Sequence, residues 1–310
     1  MAGALWLAQR LDRPLVVDWR GQAQLRDKSL NYFVEFFETP SEILGVPVRY
    51  APADVGDYSQ GSPGARWVEP DEAARLASAA ETTDEEFIVC QTFHGVDRLH
   101  PGPESQRFRF LRSFYRSIRP TELVREAADT WWYENCDGAF VVGVNVRTGN
   151  GQYYGKGMRY TGRVDISLFD DRERFLRKIE AACRARVRRL PKQIRGDFVV
   201  FYATDSAAMS ELLSRLPGAR SRRTLYPPPG SGDLHSFDDE PDADRRSVVD
   251  TIVDMFLLAR CDGLVWNTSV FNQYARVSTG YFGGNHVHIE SLFLRKNLEV
   301  TLGAIQRRLR

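Results

Sequence analysis

The chain has 310 residues, 43% of them apolar and 27% charged, which suffices to bury cores for about two domains and excludes wholesale disorder. A net charge of +1 gives no global pull toward nucleic acid or an anionic membrane, and no run approaches the roughly 18 apolar residues of a membrane span. Cys90, Cys136, Cys183 and Cys261 show no C-x-x-C spacing and read as reduced, mostly buried thiols of a cytoplasmic protein; the N-terminus carries no signal-peptide pattern.

Residues 2–12 have a helical period, and "RPLVVDW" after them is a short β-rich run ending in Asp18-Trp19-Arg20. Residues 31–38 are aromatic and fit helix or strand. A strand is predicted at 45–50, a long Pro/Gly/Ser/Asp loop at 51–70, a helix at 69–81 and a strand at 86–93. Two helices follow, separated near Pro120. After Asp137-Gly138 the pattern resumes: strand 139–147, helix 170–190, strand 197–204, helix 206–216, a short strand near 223–226, helix 246–260, strand 263–267 and helix 269–277. Strands alternating with helices imply parallel sheets with right-handed crossovers. The break near 125–138 divides the chain into two α/β halves, 1–130 and 131–310.

In open α/β sheets, ligands bind beyond the carboxyl ends of the strands. Four such places carry polar residues. The valine-rich strand of "FVVGVNVRTGNG" places Asn145 and Arg147 at its end and leaves through Thr148, Gly149, Asn150 and Gly151. A guanidinium beside a turn rich in backbone N–H groups suits a diphosphate; a tight turn with Arg147 in a surface ion pair fits the same residues. In "ATDS", Asp205 or Ser206 can cap the next helix, or Thr204, Asp205 and Ser206 touch a ribose or phosphate. His235 and Ser236 follow a proline-rich loop, either solvated or bound to phosphate. Asp250 and Asp254 share a helix face with Arg246, as a solvated stripe would. The apolar flanks of Asp254 instead demand donors, and guanine offers two, N1–H and the exocyclic amine. Thr268 and Ser269 open the next helix, at an anion-binding N-terminus. No acidic or histidine cluster has metal-ligand spacing.

Taken in order, "VVDWRG" (16–21), "GVNVRTGNG" (143–151), "ATDS" (203–206), "LHS" (234–236) and "DMFLLARC…TSVFNQYAR" (254–276) resemble the α-1,6-fucosyltransferases, nearest their bacterial nodulation branch. The Val-x-Val-Arg segment with its Gly-Asn-Gly tail is the specific part. The resemblance implies a GT-B fold of two Rossmann-like domains facing a cleft, with the nucleotide on the C-terminal domain. It implies inverting, metal-independent transfer from GDP-fucose, which is a co-substrate and leaves no further cofactor. Arg147 matches the arginine that neutralises the β-phosphate of departing GDP, and Asp254 the carboxylate that reads guanine. Asp205 matches an acid near the nucleotide, and Ser269 lies beside the diphosphate. Asp18, Trp19 and Arg20 fall on the N-terminal, acceptor side. The acceptor class implied is a glycan, a lipo-oligosaccharide or a glycosylated small molecule, and neither nucleic acid nor a membrane span is implied.

Three departures shape the expectations. Asn145 stands where the family has histidine, and Thr148 where it has arginine or histidine, which leaves room for another GDP-sugar. No carboxylate matches the general base; Asp165, Asp170 and Asp171 are nearby. The chain opens inside the family's first helix: a start assigned too late, a truncated gene or a lost ancestral first strand each fits, and the last leaves the N-terminal sheet one strand short. A rival of another class is a nucleotide-sugar-binding protein without turnover. A nucleic-acid-binding protein needs a basic patch with interleaved aromatics, which the sequence lacks.

Overall fold

The computed structural model describes residues 1–20, 29–51, 64–68, 72–73, 75–76, 87–90, 103–147, 158–160, 164–166, 171–188, 198–223, 225–226, 243–267, 274–277, 286–289 and 291–292. The chain separates into two compact units, one chiefly of residues up to Leu123 and one from Val124 onward.

The first unit opens with α1 (Ala2–Leu11), which buries Leu5, Trp6, Leu7 and Ala8. There follow β1 (Leu15–Val17), α2 (Tyr32–Phe36), β2 (Glu42–Ile43), β3 (Val46–Tyr50), β4 (Ala65–Val68), β5 (Phe87–Cys90) and α3 (Glu104–Ser117). β1 runs parallel to β3, and β4 parallel to β5. β2 and β3 pair antiparallel, as a two-residue connection requires. The aromatic run at 31–38 resolves as a helix because Asn31 caps it, accepting the Phe33 N–H. β4 corrects the expectation of an uninterrupted loop over 51–70. Its Ala-Arg-Trp-Val gains backbone partners from β5, some twenty residues on, and local composition cannot register that.

The second unit contains α4 (Glu122–Cys136), β6 (Phe140–Val146), β7 (Met158–Tyr160), β8 (Val164–Ile166), α5 (Arg172–Val187), β9 (Phe198–Thr204) and α6 (Ala207–Leu213). It continues with β10 (Ala219–Arg220), α7 (Ala243–Arg260), β11 (Gly263–Trp266) and β12 (His286–His288). Five parallel strands form one sheet in the order β10-β9-β6-β11-β12. The short strand expected near 223–226 lies at 219–220 instead. Leu216–Gly218 turns the chain straight back onto β9, and Arg223 leaves the sheet for a buried polar site. β12 has no counterpart among the expected strands.

Alternation along β6 sorts the two faces of the sheet. Val142, Val144 and Val146 pack with Phe175, Leu176 and Ile179 of α5 and Met209 and Leu213 of α6. On the opposite face Trp131 of α4 meets Phe201 edge-on at 5.0 Å, and α7 lies over Gly143. A Cβ at Gly143 would stand 2.9 Å from Cys261 Sγ and 3.1 Å from both Leu258 and Leu264. Glycine is therefore what lets α7 settle onto the strand. That approach brings α7 level with the carboxyl ends of β6 and β9, where Asn145 sits beside Ala203 and Val146 beside Thr204.

Candidate functional site

Three strand ends converge at one place. Arg147 follows directly on β6, Asp205 on β9 after Thr204, and Asn267 on β11. Asn267 is fully buried and works as a clamp: its Oδ1 accepts the Arg147 N–H at 2.9 Å, and its Nδ2 donates to the Arg147 carbonyl at 2.7 Å. Its own N–H donates to the Asn145 carbonyl at 3.2 Å. The backbone carrying Arg147 is thus held from both sides.

The Arg147 side chain is 15% exposed, and its Nε lies 3.4 Å from Asp205 Oδ2. Burial lowers the guanidinium's pKa and the Asp205 carboxylate raises it; a group that starts so high keeps its charge. Ser206, the other capping candidate, takes the cap of α6 and accepts the Met209 N–H at 3.4 Å, while Asp205 faces Arg147.

Asp254, on the face of α7 that overlies β6, is 5% exposed, and its Oδ1 has no hydrogen-bond partner among the described residues. Burial pushes its carboxyl up to about 7, against the opposing influence of Arg223, Arg222 and Arg147. Asn145 Oδ1 is buried without a partner in the same way. Both residues line one pocket together with Arg147, Thr204, Arg223 and Thr251. Two orphaned acceptors beside two guanidiniums do not stabilise an empty fold, because each unmet acceptor costs about 1–3 kcal/mol. They suit a ligand that brings both N–H donors and negative charge.

The structure therefore gathers Asn145, Arg147, Thr204, Asp205 and Asp254 at one pocket or its rim. Thr148, Gly149, Asn150, His235, Ser236, Thr268 and Ser269 lie outside the described residues. Asp170 does too, whereas Asp171 caps α5 by accepting the Arg174 N–H at 2.9 Å, and Asp165 lies in β8. In the first unit, Asp18 and Arg20 form a forked ion pair at 3.0 Å. Trp19 meets Phe33 and Phe37 edge-on at 5.4 and 5.9 Å. Asn31 secures this turn, accepting the Trp19 N–H and donating to the carbonyls of Val17 and Ala51.

Sequence reasoning missed Asn267 and Arg223. An asparagine closing a buried strand was a usable signal for the first. Arg223 stands beside Arg222, which pairs with Asp250, and no local pattern marks which of the two is buried in the pocket. Among the described residues no group of three His, Cys, Asp or Glu side chains stands close enough to hold a metal ion. No helix there is long and apolar enough to cross a membrane.

A parallel-sheet α/β unit with its ligand-facing residues at the carboxyl strand ends, joined to a second α/β unit, is the GT-B class of architecture. Solved structures agree. A NodZ α-1,6-fucosyltransferase soaked with GDP-fucose aligns with a TM-score of 0.61 at 24% identity, covering 89% of this chain and 86% of that one. POFUT1 in complex with GDP-fucose aligns at 0.52 and 13%, covering 93% and 92%. The family model Nodulation protein Z (NodZ) matches residues 105–281, and the chain belongs to that family. Nodulation protein Z of Sinorhizobium fredii is 27% identical over 299 residues, spanning 90% of this chain and 85% of the relative. The Bradyrhizobium diazoefficiens protein is 28% identical over 299 residues, spanning 89% and 74%.

Proposed function

We propose that this chain is a GDP-fucose-dependent glycosyltransferase that moves fucose to a sugar hydroxyl with inversion and without a metal ion. The observation that carries the reading is the pocket at the ends of β6 and β9, where clamped Arg147 and the unpartnered acceptors of Asn145 and Asp254 meet. Asp254 accepts from the guanine edge, with Asn145 beside it in place of the family's histidine. Arg147 faces the diphosphate. As the glycosidic bond breaks, charge grows on the β-phosphate, and a pre-oriented guanidinium in a water-poor site stabilises that charge without reorganising. Residues 131–310 are the donor side. Residues 1–130 are the acceptor side, where the Asp18-Trp19-Arg20 turn offers a ring and a charged pair to a glycan. The acceptor is a glycan, a lipo-oligosaccharide or a glycosylated small molecule, and the enzyme works in the cytoplasm.

The test is calorimetric titration of GDP and GDP-fucose into the wild type and Arg147→Ala, with divalent metal chelated. The wild type is expected to bind both. Arg147→Ala is expected to bind roughly 10- to 100-fold more weakly, as loss of a charged partner to a diphosphate implies. Equal affinity in the two proteins would overturn the role given to Arg147, and no binding by the wild type would overturn the reading as a whole.

A further inference from the structure

Arg223 is as deeply buried as Asp254 and lines the same pocket, yet nothing in the transfer chemistry above uses it. Its seat is made by two elements. Nη1 donates to the Thr204 carbonyl at the end of β9 at 3.2 Å. Nη2 donates to Ser247 Oγ at 2.9 Å and Thr251 Oγ1 at 3.0 Å on α7. Ser247, Thr251 and Asp254 are spaced i, i+4, i+7 and share one face of that helix. Arg223 therefore stands on the row that ends in Asp254, and its Nε has no hydrogen-bond partner among the described residues. Burying a guanidinium is costly unless it serves a charge nearby. The anionic side chain that lines the pocket with it is Asp254.

We infer that Arg223 is a positioning residue for donor specificity: it is the fixed cation that favours the ionised form of the Asp254 carboxylate, so that α7 presents an acceptor to a base edge bearing two N–H donors. The inference rests on the reading of this pocket as a GDP-sugar site. The groups facing Asp254 divide by element. Arg147 comes from the end of β6, and Arg222 and Arg223 from the segment after β10; Asp250 is one turn back on α7, and Tyr226 lies near Arg223. Arg222 is engaged by Asp250 and Arg147 by Asp205. Arg223 instead donates to Thr204, Ser247 and Thr251, which are neutral and leave its charge to act on Asp254. A diphosphate entering the pocket adds negative charge, so the carboxylate needs this cation most when the ligand is bound. Ionisation decides recognition because a protonated carboxyl oxygen points a donor at a donor.

The experiment measures GDP affinity by calorimetry from pH 6 to 8.5 for the wild type, Arg223→Gln, Arg223→Lys, Asp254→Asn and the Arg223→Gln/Asp254→Asn double variant. The ligand's own titrations are common to all and cancel in the ratios. If loss of the cation raises the Asp254 midpoint by one unit, Arg223→Gln binds roughly tenfold more weakly than wild type at pH 6 and fivefold at pH 7. By pH 8.5 the deficit falls below roughly twofold. Arg223→Lys keeps the wild-type midpoint, and the double variant binds no more weakly than Asp254→Asn alone. A deficit that stays constant with pH, or one that adds in full to that of Asp254→Asn, overturns the inference while leaving the GDP reading intact. Failure of the wild type to bind GDP overturns the GDP reading and the inference with it. Should Arg223→Gln not fold, Arg223→Met removes the same charge and is read in the same way.

Discussion

Asp254→Asn should stabilise the protein while weakening its hold on a guanine nucleotide, and the gain should depend on pH. The Asp254 carboxyl is raised from an ordinary 3.8 to about 7, chiefly by burial. Between roughly pH 4 and 7 the native protein therefore holds a proton that the unfolded chain has released, so this group's contribution to stability falls as pH rises. Above about 7 the full cost of a buried ionised carboxylate is present. Three units of pKa correspond to about 4 kcal/mol, which bounds the effect from above. Asparagine has the same shape and carries no charge to bury. The variant is expected to gain about 1–4 kcal/mol at pH 8 and only about a quarter of that near pH 4.5. For a unit of this size that is a rise in melting temperature of several degrees, at about 2–4 °C per kcal/mol. Thermal unfolding followed by circular dichroism at the two pH values reads it directly, with GDP titrated into the same samples. A gain equal at both pH values, or a loss at pH 8, would refute the assignment of Asp254 as an acid whose burial outweighs the cations around it.

Removing the Asn267 clamp, as Asn267→Ala, should weaken GDP binding about tenfold, worth about 1.4 kcal/mol, because Arg147 loses both backbone tethers. Calorimetry checks it, and unchanged affinity would mean that Asp205 alone fixes the guanidinium. Gly143→Ala should destabilise by about 1–3 kcal/mol in chemical denaturation, since its Cβ meets Cys261 Sγ at 2.9 Å; adding Cys261→Ala should return part of the loss. Burial pushes the thiols of Cys136 and Cys183 up to about 11 and about 12 and that of Cys261 well above its usual value. A thiol reagent at pH 8 should therefore label none of the three in the native protein and all three after unfolding, as read by mass spectrometry.

Much of this architecture is written locally. The valine-rich runs that became β6 and β9, the acid-led helix that became α5 and the Thr-Asp-Ser step into α6 follow from periodicity and capping, which act over a few residues. The strand end at Arg147 was legible for the same reason, although a surface ion pair fitted that sequence as well as a diphosphate site did. What could not be read locally is what depends on partners distant in the chain. β4 exists because of β5, and β10 lies at 219–220 because β9 offers an edge there. Asp205 and Ser206 were interchangeable in sequence, and only packing assigned the cap to one and the ion pair to the other.

The family motifs, the alternation of strand and helix, and the identity of the charged residues at the strand ends were determined by the sequence itself. Tertiary structure decided which of those charges are buried, which are paired and which acceptors are left open. Burial and pairing are properties of a three-dimensional neighbourhood. Asn267 reaches Arg147 across 120 positions of chain, and Arg223 reaches Thr251 across 28. No local pattern encodes either distance, because the contacts arise only when the sheet aligns its strand ends and Gly143 lets α7 descend onto them.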